Sequence, residues 1–162
     1  MKLDKAIEDV QDAEADVARH LRVVGERHAT EHDLYHLGHT LAQQCEEQLV
    51  KLAPFADRYG APAGDRGVAE SPGVLESLRH KSAELMGRAE AAGLVLLHDL
   101  RTLYLAAQEA EIAWVILGQA AKAARDPELI EVVEQCHEKA ELRAMWVRTR
   151  IKVTAPEILV SG

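Results

Sequence analysis

Two carboxylates occupy positions where an amphipathic helix normally carries apolar side chains. The segment from Leu94 to Asp126 has the longest apolar helical pattern of the sequence, and Glu111 falls within its apolar stripe at about 100° per residue. Glu14 likewise falls within the apolar stripe of the first helical segment. A buried carboxylate costs several kcal/mol unless a cation, a proton or hydrogen-bond donors compensate it. The sequence therefore predicts a compensating group beside each of these glutamates.

The compensating group can be a metal ion or a buried polar network. In such a network the two carboxylates share a proton, or they accept hydrogen bonds from His137, Gln48, Tyr104 or a Trp indole. A third alternative places Glu111 at an interface between subunits, where it need not enter the core at all. The residues by themselves leave these three alternatives open.

A row of histidines on the second helical segment is a separate candidate for chemistry. His32, His36 and His39 are spaced by four and three residues, so they line one side of a helix. Histidines with this spacing can bind Zn²⁺ or another transition-metal ion, or they can form a pH-sensitive contact with a partner. The row lies about 180° from the apolar stripe of the same helix, so an exposed polar face without a ligand is the third alternative.

Hydrophobic periodicity and capping signals predict an all-α protein with a single domain, residues 1–162. The predicted helices cover about residues 2–28, 30–58, 72–86, 92–125 and 127–153, and residues 154–162 form a tail. The stripes of the first two helices are out of phase by about 130°, so we expect a break near Ala29 and an antiparallel hairpin. One long bent helix is the alternative, because the break itself contains neither Gly nor Pro.

One serine and one aspartate, each followed by proline, mark the predicted starts of two later helices. Ser71 before Pro72 and Asp126 before Pro127 match an N-cap with proline at the first helical position. The link between the second helix and the long third helix exceeds 30 residues, which suffices to run the length of a bundle. We therefore expect those two helices to run parallel, with the short helix 72–86 in the crossover. Basic residues gather near the end of the last helix, where its dipole favours them: Arg143, Arg148, Arg150 and Lys152.

Composition limits the class of protein. The 162 residues carry a formal net charge of -8 and include one phenylalanine, Phe55. An acidic chain lacks the basic surface that non-specific binding to nucleic acid or to an anionic membrane requires. The sequence has no apolar run of about 18 residues and no signal-peptide pattern, so we expect a cytoplasmic protein. Cys45 and Cys136 lie on apolar helix faces and are expected to be buried thiols.

The predicted arrangement resembles the ferritin-like superfamily, in which a long crossover joins two pairs of antiparallel helices in a four-helix bundle. The resemblance covers the architecture of the whole chain and most of the ligand motifs. It implies a metal site with single glutamates from two helices, and Glu14 and Glu111 match these positions. It also implies a Glu-x-x-His motif on the last helix, which Glu134 and His137 match. Iron, manganese or zinc is the implied cofactor.

The second helix departs from the family pattern. It carries Gln44 and Gln48 where the family has another Glu-x-x-His. We expect a degenerate carboxylate and histidine core site that could bind one metal ion without clear turnover, with Glu141 able to replace Glu134. The alternative is a metal-free structural or protein-interaction bundle, and the third possibility is a two-metal oxidase or ferroxidase. A homodimer is expected, and Trp146, about 130° from the apolar stripe of its helix, is a candidate contact if exposed.

Overall fold

The computed structural model describes residues 1–63 and 89–161, and these residues form four α-helices. The helices are α1 (Leu3–Arg27), α2 (His32–Tyr59), α3 (Ala89–Ala124) and α4 (Pro127–Leu159). The prediction of an all-α protein is confirmed for this part of the chain. The predicted helix at 72–86 lies outside the described residues. None of the described helices is long and apolar enough to cross a membrane.

The helices pack as a bundle. α1 lies along both α2 and α3, and α3 lies along α4, whereas the backbones of α2 and α4 approach each other at few places. Ion pairs nevertheless join α2 to α4 at both ends. Arg58 near the end of α2 donates to Asp126 just before α4 at 2.9 Å, and Arg150 of α4 donates to Asp33 near the start of α2 at 2.8 Å. Side chains near both ends of α2 are therefore linked to residues of α4 or to its N-cap.

The break predicted near Ala29 is present. Residues 28–31 separate α1 from α2, and the two helices lie side by side, so the alternative of one long bent helix is wrong. Their backbones are so close at Gly38 that an added Cβ atom would lie 3.0 Å from the carbonyl oxygen of Leu21. A glycine permits this approach because it has no side chain to displace the neighbouring backbone.

Helix α4 continues beyond its predicted end. Residues 154–162 were expected to form a tail because of Pro156, but α4 extends to Leu159 and contains this proline. A proline within a helix costs about 3 kcal/mol because it lacks an N–H group and clashes with the preceding turn. Packing compensates for this cost, since Thr154 is buried and Ile158 packs against the start of α3. Tertiary contacts therefore extend the helix past its local stop signal.

The centre of the bundle contains both apolar and charged side chains. Trp114 of α3 is the largest fully buried side chain among the described residues. Small and aliphatic side chains from all four helices surround it. Glu14 and Arg143 are also fully buried, and they define the site described next.

Candidate functional site

Glu14 of α1 and Arg143 of α4 form an ion pair in the centre of the bundle. Nη2 of Arg143 lies 2.9 Å from Oε1 of Glu14, and Nη1 lies 3.2 Å from Oε2. Neither side chain is exposed to solvent. Because two hydrogen bonds join the planar guanidinium to the carboxylate, the pair has a defined geometry as well as compensating charge. Arg143 is therefore the compensating group that the sequence required beside Glu14.

Helices α3 and α2 supply further donors to the same carboxylate. The indole Nε1 of Trp114 donates to Oε1 of Glu14 at 2.7 Å. The amide of Gln48 fits in two orientations, one with its nitrogen 3.4 Å from the carbonyl oxygen of Cys136. In the other orientation the nitrogen lies 3.1 Å from both oxygens of Glu14, and this orientation is adopted because it avoids placing the amide oxygen against the carboxylate. Each of the four helices thus contributes a residue to one buried polar cluster.

Two cysteines border this cluster as neutral thiols. Nη1 of Arg143 lies 3.1 Å from Sγ of Cys45. Burial raises the pKa of Cys45 well above its ordinary value, although the charge of Arg143 opposes this shift. Burial also raises the pKa of Cys136, to about 11. Both thiols therefore remain protonated near neutral pH, and they fit the predicted role of buried thiols.

Arg143 itself remains charged. Burial alone would lower the pKa of its guanidinium, but the Glu14 carboxylate outweighs that effect and holds the pKa above its ordinary value. Its Nε atom is buried and has no hydrogen-bond partner among the described residues. The site is therefore a buried carboxylate whose charge is compensated by a guanidinium.

The role of Arg143 in the core was not predicted from the sequence. Arg143 was grouped with the basic side chains near the end of the last helix, but α4 extends to Leu159 and Arg143 lies at its middle. The signal was present in the spacing of the α4 seam, which alternates three and four residues: Val133, Cys136, Ala140, Arg143 and Val147. One basic residue in this seam and one acidic residue in the seam of α1 indicate a buried ion pair.

The other predicted ligands lie apart from Glu14. Glu111 was expected in the core, but its side chain is 21% exposed at the edge of the bundle, where Oε1 lies 3.3 Å from Nε2 of His137. The structure therefore brings Glu111 and His137 together, as the ligand pattern required, but away from the central carboxylate. Glu141 borders the same small groove between α3 and α4 as Glu111. Glu134 is exposed.

The histidine row lies on the surface. His32 and His36 are exposed, and His39 lies 3.2 Å from the carboxylate of Glu26 on α1. The ring of Tyr35 meets the rings of His36 and His39 edge to face. Within residues 1–63 and 89–161, no group of three or more His, Cys, Asp or Glu side chains is arranged so that it could hold a metal ion.

A second buried charged cluster joins the end of α1 to α3. Nε2 of His28 lies 2.7 Å from Oδ2 of Asp99, and Nη1 of Arg27 donates to both oxygens of Asp99 at 2.9 and 3.0 Å. Burial alone would raise the pKa of Asp99, but the hydrogen bond to His28 and the charge of Arg27 lower it below its ordinary value. Asp99 was not predicted as a buried residue, because a single acidic residue on an amphipathic helix is usually exposed.

Trp146 does not lie fully on the surface. Its ring is partly buried and packs against both hydrophobic clusters of the bundle. A partly buried tryptophan is explained by this packing, so it does not by itself indicate a contact with another subunit.

The fold and the site together define an all-α protein of four described helices with a buried Glu–Arg cluster at its centre. Comparison of the chain with protein-family models, with curated proteins and with solved structures gave no match. The function is therefore inferred from the geometry of the molecule.

Proposed function

We propose that this protein is a ferritin-like bundle whose core works without a metal ion, as a structural or protein-interaction module. In this proposal the helices pair antiparallel as α1 with α2 and α3 with α4, and a crossover connects the two pairs. The observation that carries the proposal is the ion pair of Glu14 with Arg143. A permanently charged guanidinium takes the place of the cation that the carboxylate needs.

The chemistry of the carboxylate supports a metal-free core. The oxygens of Glu14 already accept hydrogen bonds from Arg143, Trp114 and Gln48, and these donors use the lone pairs that a metal ion would need. A divalent cation would also be repelled by the guanidinium about 3 Å away. Since each donor comes from a different helix, the cluster favours one relative register of the four helices over alternatives with unpaired charges.

A second candidate function is the binding of a single divalent ion at the edge of the bundle. The observation that favours it is the approach of Glu111 to His137, with Glu141 beside the same groove. Carboxylate oxygens and an imidazole nitrogen suit zinc, manganese or iron. Glu141 would have to change its side-chain conformation to complete such a site. This ion would lie outside the core and would leave the pair of Glu14 and Arg143 intact.

Elemental analysis of untagged protein, purified without chelator and then incubated with Zn²⁺, Mn²⁺ or Fe²⁺ and desalted, tests both candidates. The proposed function predicts that wild-type protein retains far less than one ion per chain, because no ligand set in the core is free. One retained ion that is lost in His137→Ala would support the second candidate. One retained ion that persists in His137→Ala and is lost in Glu14→Gln would overturn the metal-free core.

The expected homodimer belongs to the same proposal. An interaction module of this kind needs a surface for its partner, and the described helices carry exposed aliphatic side chains on α3 and α4. Sedimentation equilibrium measures whether a second copy uses one of these surfaces.

A further inference from the structure

We propose that the groove between α1 and α3 binds a basic amphipathic helix of a protein partner. This inference depends on the proposed interaction function and names the class of partner. The groove has a volume of about 1180 Å³ and is lined by residues of both helices. Two features run side by side along it, an apolar row on α3 and an acidic row on α1.

The apolar row consists of Leu105, Ile112 and Ile116. These three side chains are 57%, 52% and 57% exposed, although each is large and aliphatic. They are separated by seven and four residues, so they lie along one face of α3. A partner that covered the exposed half of each side chain would remove this apolar surface from water, which favours binding. The row therefore has the spacing with which a groove receives the apolar face of another helix.

The acidic row faces it from α1. Asp9, Asp12 and Asp16 border the same groove and are separated by three and four residues. Asp16 is already paired with Arg19, the one arginine that borders the groove among the described residues. Glu109 adds a fourth carboxylate from α3. Lysine or arginine side chains spaced by three and four residues on a partner helix would match this row.

Small residues between the rows make room for a helix. Ala13 and Ala113 border the groove and are 8% exposed, so they form its floor. The apolar row spans 12 residues of α3, from Leu105 to Ile116, and its two ends are about 16 Å or three helical turns apart. A partner helix of three to four turns would cover the row.

Charge favours a basic helix over other possible ligands of the groove between α1 and α3. Nucleic acid and anionic lipid are repelled by the acidic row, and the chain has a formal net charge of -8. A second copy that placed its own groove against this one would bring two acidic rows together, which disfavours it. A helix with an apolar face flanked by basic residues satisfies both rows at once.

A titration with designed peptides tests the proposal. The probe is a synthetic peptide of about 18 residues, long enough to cover the groove, with leucines on one helical face and lysines on the other. A peptide of the same composition in scrambled order measures non-specific attraction to an acidic protein. Binding is followed by fluorescence anisotropy and by the methyl NMR signals of the isoleucines. We expect the signals of Ile112 and Ile116 to shift, while those of Ile130 and Ile151 on α4 stay in place.

Matched variants separate the groove from the rest of the surface. Asp9→Asn with Glu109→Gln should weaken binding about fivefold, because it removes two exposed carboxylates of the groove that the proposed complex would pair with lysines. Glu131→Gln with Glu138→Gln makes the same change of net charge at exposed positions of α4 and should leave the affinity unchanged.

The apolar row has its own pair of variants. Ile112→Ser should weaken binding about tenfold, since it removes buried apolar surface from the complex. Met145→Ser, at a similarly exposed position on α4, should leave the affinity for the peptide unchanged.

Three results would overturn the proposal. They are no binding of the ordered peptide, equal binding of the scrambled peptide, and equal weakening by the groove variants and their α4 controls. A self-association in sedimentation that Ile112→Ser abolishes would instead assign the groove to a second copy. Metal retained in the core would overturn the proposed function but would leave these binding results unchanged, so the two proposals can fail separately.

Discussion

Replacing one member of the buried pair should destabilise the protein far more than replacing both. Arg143→Met keeps an unbranched apolar stem but removes the guanidinium and its charge, and Glu14→Gln keeps the shape of the carboxylate. Each single variant leaves the opposite charge in a site without solvent exposure. The double variant leaves no charge there. A double-mutant cycle at these two positions therefore measures how far the bundle depends on the pair.

The expected magnitudes follow from the geometry. At the 2.9 Å separation of Nη2 and Oε1, the attraction is about 6 kcal/mol at an effective dielectric constant of about 20. Dehydration costs several kcal/mol for each ion, so the intact pair is close to neutral relative to apolar side chains. A single charge left alone should cost about 3–5 kcal/mol. Arg143→Met belongs at the lower end, because Trp114 and Gln48 still donate to Glu14.

Urea unfolding of the four proteins, followed by circular dichroism and tryptophan fluorescence, gives the required free energies of unfolding. We expect the double variant to lie within about 2 kcal/mol of wild type, and the coupling energy to reach about 4 kcal/mol or more. Arg148→Met, an exposed arginine on the same helix, is the control and should change stability by less than about 0.5 kcal/mol. Additive single effects would refute the reasoning, because they would mean that the two charges do not compensate each other.

Two further predictions concern the ends of the bundle and its helix contacts. The pKa of Asp99 is lowered in the folded protein, so its contacts stabilise the fold above the ordinary carboxyl pKa of about 3.9, and this stabilisation is lost as pH falls. The urea midpoints of Asp99→Asn and wild type should therefore differ at pH 7 and converge in acid. A difference that stays constant with pH would contradict this. Gly38→Ala should cost about 1–3 kcal/mol, because its Cβ would lie 3.0 Å from the backbone oxygen of Leu21. Gly118→Ala is its control, since the added Cβ would meet a movable methyl group of Val133 at 3.1 Å, and thermal unfolding should show the smaller effect there.

Local signals in the sequence were sufficient for most helix boundaries. Asp126 before Pro127 predicted the start of α4, and the Asp126 carboxylate does accept a hydrogen bond from the backbone N–H of Leu129 at 3.1 Å. The phase change near Ala29 predicted the break between α1 and α2. Glu14 was correctly placed in the core, because its seam continues on both sides of it. Each of these features depends on residues within a few turns of one another.

The partners of the charged residues were decided by the tertiary structure. Glu14 and Arg143 are separated by 129 residues, and helical periodicity says which face a side chain is on but not how far one helix slides along another. For the same reason, the sequence could place Glu111 on an apolar stripe but could not show that this part of α3 reaches the bundle edge, beside His137. The sequence alone determined the four described helices apart from the last turns of α4, most of their buried faces, and the need for a compensating group beside Glu14. The axial register of the packed helices decided that this group is Arg143.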